Sequence, residues 1–163
     1  MRSAPFTVAA LAWCLVCCAA SPGEEIAFCR HLLNAQSEFS ACAVFDVDHD
    51  GRLDIVSGDF WYAPPDWKRR KIRDVQSIRG RYDDYSNLPL DVNCDGWMDL
   101  VSCNYRSRSL YWVEHPGTPS DLWERHVIDT PGPSETGRLA DIDGDGRQDV
   151  LPSGAGFAAW YEV

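Results

Sequence analysis

Three acidic nonapeptides of one design constrain this chain more than any other feature. They read DVDHDGRLD from Asp46, DVNCDGWMD from Asp91 and DIDGDGRQD from Asp141. Each puts oxygen-bearing side chains at positions 1, 3, 5 and 9 and a glycine at position 6. Like charges this close oppose compaction unless something positive sits between them. The plain alternative is a solvated acidic turn. The pattern instead suits a hard cation that takes six to eight oxygens at flexible geometry, which is calcium. Alternating carboxylates let a tight turn aim successive oxygens inward, and the glycine supplies the bend. The candidate ligands are Asp46, Asp48, Asp50 and Asp54; Asp91, Asn93, Asp95 and Asp99; and Asp141, Asp143, Asp145 and Asp149. The main-chain carbonyls of Arg52, Trp97 and Arg147, at position 7, add one ligand each. About three ions are expected.

The flanks of these loops are not helical. An EF-hand carries a bidentate Glu at position 12, where this chain has Ser57, Ser102 and Pro152. The runs LDIVSG, MDLVSC and QDVLPSG are short, apolar and closed by small or turn-forming residues, which predicts strands. Each loop is therefore read as the bend of a β-hairpin.

Two further patterns travel with the loops. The loop starts lie 45 and then 50 residues apart, a spacing that suits a repeated supersecondary unit. FCRHLL from Phe28, WKRRKI from Trp67 and WERHVI from Trp123 share an aromatic, an arginine, a second basic residue and an aliphatic. FWYA, LYWVEH and AAWYEV follow the three loops. Each unit then reads as four strands. One enters the loop, one leaves it, one carries the Trp-Tyr or Tyr-Trp pair, and one carries the Arg-basic-aliphatic run. Cut before that fourth strand, the units are 28–66, 67–122 and 123–163. The fold class expected is all-β, with about three four-stranded blades of a β-propeller and the look of a fragment of a larger one. Trp61, Trp112, Trp160, Trp67 and Trp123 are read as inter-blade packing.

The remaining features bound the setting. Arg2 precedes an uncharged stretch with an apolar centre, and Cys18-x-Ala20 is a passable cleavage site. Residues 1–20 are read as a signal peptide, with an uncleaved anchor as the alternative. The expected location is secreted, periplasmic or at the cell surface, with no membrane attachment after cleavage. Of seven cysteines, Cys29, Cys42, Cys94 and Cys103 lie beyond that segment. They suit either two disulfides or free thiols. The formal charge is -10, but the three loops hold eleven carboxylates, and without them the balance is +1. The acidity is local to the loops, which argues against nucleic acid as a partner.

The D-x-D-x-D-G-x-x-D loop, the WYE strand and the W-x-x-H-x-I-D run together resemble the FG-GAP/VCBS repeats of exported β-propellers, the group that includes integrin α-chain blades. The resemblance covers roughly residues 28–163. It implies a propeller fold and calcium at the loop positions named above. Closed propellers have about four to eight blades, whereas this chain supplies three, so association of copies or a longer gene product is expected. Members of the family bind partners, carry glycan-active domains or act as enzymes.

A ligand face is expected at the end of the hairpins opposite the loops. It includes Glu38, Asp83, Asp84, Tyr85, Asn87, Glu135 and Arg138, with Asp59 and the NYRSR run holding Asn104 and Arg106. Ordinary solvated loop residues are the bland alternative. No nucleophile elbow, zinc-protease or phosphate-loop motif occurs. Three readings remain: a calcium-stabilised module that binds a protein or glycan, part of a glycan-active lyase or dehydratase, and a purely structural piece.

Overall fold

The computed structural model describes residues 27–118 and 122–163. Its contacts divide the chain into Met1–His31 and Leu32–Val163. The stretch read as a signal, 1–20, lies outside the described residues. Residues 27–31 are exposed and belong to no strand.

Leu32–Val163 is all-β among the described residues, with antiparallel sheets. The first sheet runs β1 (Cys42–Phe45), β2 (Asp54–Ser57), β3 (Phe60–Ala63) and β4 (Lys68–Lys71), in chain order. A two-stranded ribbon follows, β5 (Ser77–Ile78) and β6 (Arg81–Tyr82). The second sheet is β7 (Ser86–Leu90), β8 (Asp99–Cys103), β9 (Leu110–Glu114) and β10 (Glu124–Asp129), again in order. The third is β11 (Ser134–Ala140), β12 (Asp149–Gly154) and β13 (Phe157–Ala158), with a bridge from Val150 to Tyr161 beyond it. These are blade-like meanders, and they do not close into a ring. The unit cuts at 66/67 and 122/123 pass between the third and fourth strands of one sheet.

Side-chain alternation explains the stacking. Successive residues of a strand point to opposite faces. In β2, β8 and β12 the residue after the loop's last Asp is Ile55, Leu100 or Val150, and the next is Val56, Val101 or Leu151. Val56 and Leu100 meet in one buried cluster with Trp61, Val113 and Trp123. Val101 and Val150 meet in the next, with Trp112 and Tyr161 packed against it. The second sheet thus offers Leu100 to the first and Val101 to the third, which meet it with Val56 and Val150. Burial of such aliphatics contributes about 1.5–3 kcal/mol per side chain. The strands that enter the loops lie side by side, β1 against β7 and β7 against β11.

The fourth strand closes the outer edge of the first two sheets. All four residues of β4 are exposed and basic, which blunts the edge against further pairing. Their stems are not idle. The Arg69 guanidinium lies 4.5 Å from the Phe60 ring centre and that of Arg70 4.7 Å from Trp61. The predicted packing role of tryptophan fits Trp61, Trp112 and Trp123, whereas Trp160 is 40% exposed. All four cysteines of the described residues are free thiols: Cys29, Cys42 and Cys94 are exposed and Cys103 is buried.

Candidate functional site: the acidic hairpin loops

The three loops share one backbone. Position 4 is left-handed in each, at His49 (φ 58), Cys94 (φ 59) and Gly144 (φ 84). Position 6 is left-handed as well, at Gly51, Gly96 and Gly146 (φ 83, 90 and 93). A left-handed glycine costs nothing sterically, whereas a side chain there is strained. The position-6 glycine is therefore dictated by the turn.

Each aspartate has a distinct task. The first gathers main-chain donors at the tip: Asp46 accepts from the amides of Asp50 and Gly51 at 3.1 and 2.8 Å, and Asp91 from those of Asp95 and Gly96 at 3.1 and 2.9 Å. Asp141 accepts from Gly144 and Gly146 at 2.7 and 3.0 Å. The position-5 carboxylate takes the amide of position 7 in all three loops. The last aspartate is the anchor. Asp54, Asp99 and Asp149 are buried and accept from the amides of Val47, Val92 and Ile142 at 2.8–2.9 Å. Asp99 also accepts from the His115 amide at 2.8 Å. This ties the base of the loop to the end of β9. Burial is the largest cause that raises the carboxyls of Asp54 and Asp99, the latter to about 6.

Oxygens converge where the pattern requires. One carboxylate oxygen from each of Asp46, Asp48 and Asp50 lies within 4.8 Å of the others, and so do those of Asp141, Asp143 and Asp149. That separation is about twice a calcium–oxygen distance of roughly 2.4 Å. Asp48 Oδ1 is buried and has no hydrogen-bond partner among the described residues. A donor set made wholly of oxygen, with a buried acceptor left over, fits a hard cation. In the second loop Asn93 takes the place of a carboxylate. Its Oδ1 accepts from Asp95, and its amide donates to Asp95 and to Glu114 at 3.1 Å each. In the first loop the Arg52 guanidinium pairs with Asp50, which lowers the Asp50 carboxyl below its ordinary range.

Sequence reasoning missed one contributor. Glu162, two residues after Trp160, brings an oxygen within 4.8 Å of Asp143 and Asp145. Glu114 holds the equivalent place beside Asn93, while the first sheet has Ala63 there. The signal was available in the WVE and WYE strands.

The loops lie at one end of the sheets and touch. Trp97 is sandwiched between His49, at 3.8 Å and 1°, and His115, at 4.6 Å and 5°. Arg147 reaches Cys94 Sγ at 3.6 Å.

The residues expected to form a ligand face fare differently from one another. Asp84, Asn87 and Asn104 are interior. Asp84 and Asn87 accept from buried Arg73 at 2.8 and 3.0 Å, and Asn104 bonds to Ser102 and Ser109. Asp83 is buried too and clasps the amides of Arg106 and Ser107 at 2.8 and 2.7 Å. Asp59 accepts from the Val75 amide at 2.6 Å. Glu38 and Tyr85 share a groove of about 310 Å³ with Arg81 and Tyr82. Arg106 lines another of about 290 Å³ with Arg79, Tyr105 and Arg108. Glu135 and Arg138 are exposed on β11.

Sheets of this order with acidic hairpin loops at one end define a class: an all-β protein built of blade-like repeats. Residues 91–151 match the model of the FG-GAP-like repeat. The matched span runs from the first aspartate of the second loop into β12. No curated protein matches the chain.

Proposed function

We propose that this chain is an exported calcium-binding module of FG-GAP type that binds a protein or a glycan. The observation that carries the calcium reading is the convergence of Asp46, Asp48 and Asp50 oxygens around the unpartnered Asp48 Oδ1. Each loop would hold one ion through its positions 1, 3, 5 and 9 and the carbonyl of Arg52, Trp97 or Arg147. An ion bound only by the folded chain raises stability by RT ln(1 + [L]/Kd). Export is supported by the apolar leader-like stretch and by the extracellular setting typical of such repeats. The groove holding Glu38, Arg81, Tyr82 and Tyr85 mixes charge with aromatic rings, a lining suited to a polar ligand.

Calorimetric titration of chelator-treated protein tests the calcium reading. About three ions should bind, and Asp145→Ala should remove one of them and leave the others. Thermal midpoints equal in calcium and in chelator, with no binding heat, would overturn it. Retention on a glycan array that is lost in the Tyr85→Ala variant would support the groove.

A further inference from the structure

We propose that the groove formed by Arg79, Arg106 and Arg108, at the end of β8 away from its acidic loop, binds a polyanionic carbohydrate through its carboxylate or sulfate groups. This names a ligand class for the binding module proposed above and rests on that reading. The three arginines line one groove of about 290 Å³ with Tyr105, Ile78 and Pro133, and no carboxylate lines it. Much of the chain's arginine is engaged elsewhere. Arg52 and Arg73 pair with aspartates, Arg69, Arg70 and Arg125 lie over aromatic rings, and Arg147 reaches Cys94. Among the described residues no ion pair or ring contact engages Arg79, Arg106 or Arg108. Arg106 Nε is a buried donor with no acceptor, a state that calls for a partner.

Three segments frame the groove. β8 leaves the second acidic loop at Asp99 and ends at Cys103. The NYRSR turn that follows stands about 13 Å from that loop, beyond the screening length of about 8 Å at physiological salt. Asn104 closes the turn by donating its amide to the Ser109 carbonyl at 3.1 Å, and its own carbonyl accepts from the Ser134 amide at 3.1 Å, which brings Pro133 alongside. Asp83 is buried, and its two oxygens take the amides of Arg106 and Ser107 at 2.8 and 2.7 Å. It shapes the turn and pairs with no guanidinium. The third segment is the β5–β6 ribbon, whose turn is Arg79-Gly80. Arg79 (φ 54) and Arg108 (φ 62) both stand in left-handed backbone, where glycine is unstrained and a side chain is not. Two of the three guanidinium groups are thus carried where the turn alone favours glycine, and strain of this kind gathers at ligand sites.

The lining decides the ligand's class. Guanidinium forks match carboxylate and sulfate alike, and three in one groove without a counter-charge suit a ligand that bears several such groups. Tyr105 is 42% exposed, and its ring offers an apolar face to a sugar and a hydroxyl to the sugar's rim. It meets Tyr85 with ring centres 5.8 Å apart, and Tyr85 lines the groove proposed above for a polar ligand. The two grooves therefore adjoin, and a short chain of sugars can run through both. An acidic peptide fits less well. Peptides dock by adding to a sheet edge or by seating apolar anchors. The ribbon strands here are two residues long, and Ile78 and Pro133 are the aliphatic residues of the lining.

Calorimetric titration of the full chain in calcium tests this with tetragalacturonate, a sulfated dextran tetrasaccharide, an uncharged dextran tetrasaccharide and hexaglutamate. One of the charged sugars or both should bind at least about tenfold more tightly than the uncharged one, and the tighter of the two tells carboxylate from sulfate. Each charge-assisted contact removed should weaken binding about tenfold, so R106Q should lose about tenfold and R79G/R108G about a hundredfold. Glycine suits both left-handed positions, so the thermal midpoint of R79G/R108G should not fall. K68Q/K71Q, which removes two exposed charges from β4, should bind like the parent. Hexaglutamate bound as tightly as the sugars would overturn the proposal in favour of an acidic peptide. Charged-sugar binding that R79G/R108G weakens no more than K68Q/K71Q does would overturn it too. So would an uncharged sugar that binds as well as the charged ones and is lost in Tyr85→Ala, although the module reading would then stand. If neither charged sugar binds, the proposal falls, and retention on the glycan array decides whether the module reading falls with it.

Discussion

Arg73 is a full charge taken out of water, and its partners decide what that costs. It is 3% exposed, and its guanidinium donates to the Gly58 carbonyl, Asp84 and Asn87. Asp84 is itself fully buried, and burial pushes its carboxyl up despite the guanidinium alongside. Such a pair adds little net stability, but removing one member strands the other. Asp84→Ala should therefore lower stability by about 3–5 kcal/mol in urea unfolding. Replacing Arg73 and Asp84 together with Met and Leu should recover much of that loss. Asp99 gives a pH signature. Its carboxyl titrates at about 6 when folded, against an ordinary 3.8. Between these values the folded chain holds a proton that the unfolded chain has lost, so its contribution is complete below about 4 and lost above about 6. In chelator, the thermal midpoint of the parent relative to Asp99→Asn should fall across that window as pH rises. The pairing of Arg73 with Asp84 was not legible in the sequence. Arg73 stands in the run WKRRKIRD, where no spacing distinguishes it from the exposed bases around it. Asp83 and Asp84 read as an acidic surface, yet adjacent residues on an extended chain diverge, one to the NYRSR amides and one to the interior.

At the scale of the element, the loops were legible because everything that defines them is local. A nine-residue pattern fixes the turn, the glycine and the candidate ligands, and the strands around it show themselves by short apolar runs. The glycine yields a direct prediction. Gly146 has φ 93, with open space where a Cβ would stand. Gly146→Ala meets no clash, so its cost is backbone strain alone, about 1–2 kcal/mol. If each loop holds an ion as proposed, calorimetry should show Gly146→Ala weakening one of the three calcium-binding events and leaving the other two unchanged. Less legible was what reaches a loop from outside it. Glu114 and Glu162 arrive from the strand after the hairpin, and Trp97 joins two loops by stacking between His49 and His115. Those contacts depend on how neighbouring sheets are set together, which spacing along one chain does not encode. The fate of the first such run, FCRHLL, was similarly hidden. WKRRKI and WERHVI find a third strand to cover, whereas FCRHLL has none beside it in sequence.

Across the whole molecule, stability should grade from the centre outward. Repeat arrays are held by nearest-neighbour interfaces, and here the second sheet has two while the first and third have one each. Leu100 and Val101 of β8 are both fully buried because one faces each neighbour. In β12 Val150 is buried, whereas Leu151, its counterpart to Val101, is 37% exposed. On the first sheet, Ile55 is half-buried in a groove shared with Leu32, Leu33 and Tyr62, so that end is partly capped by the chain itself. The third sheet has no such cap among the described residues. Amide exchange should therefore be slowest in β8, which opens only when the whole fold does, intermediate in β2, and fastest in β12 and β13. Leu100→Ala should cost about 2–5 kcal/mol, and Leu151→Ala much less, because its site already borders water. If the loops hold calcium as proposed, added calcium should narrow the gradient, because an ion bound in a loop would clamp the base of its own sheet. If exchange were uniform across the three sheets in chelator, the open stack described here would be the wrong picture of the chain in solution, and the free face of β12 would have to be covered by something that binds it tightly at every concentration measured.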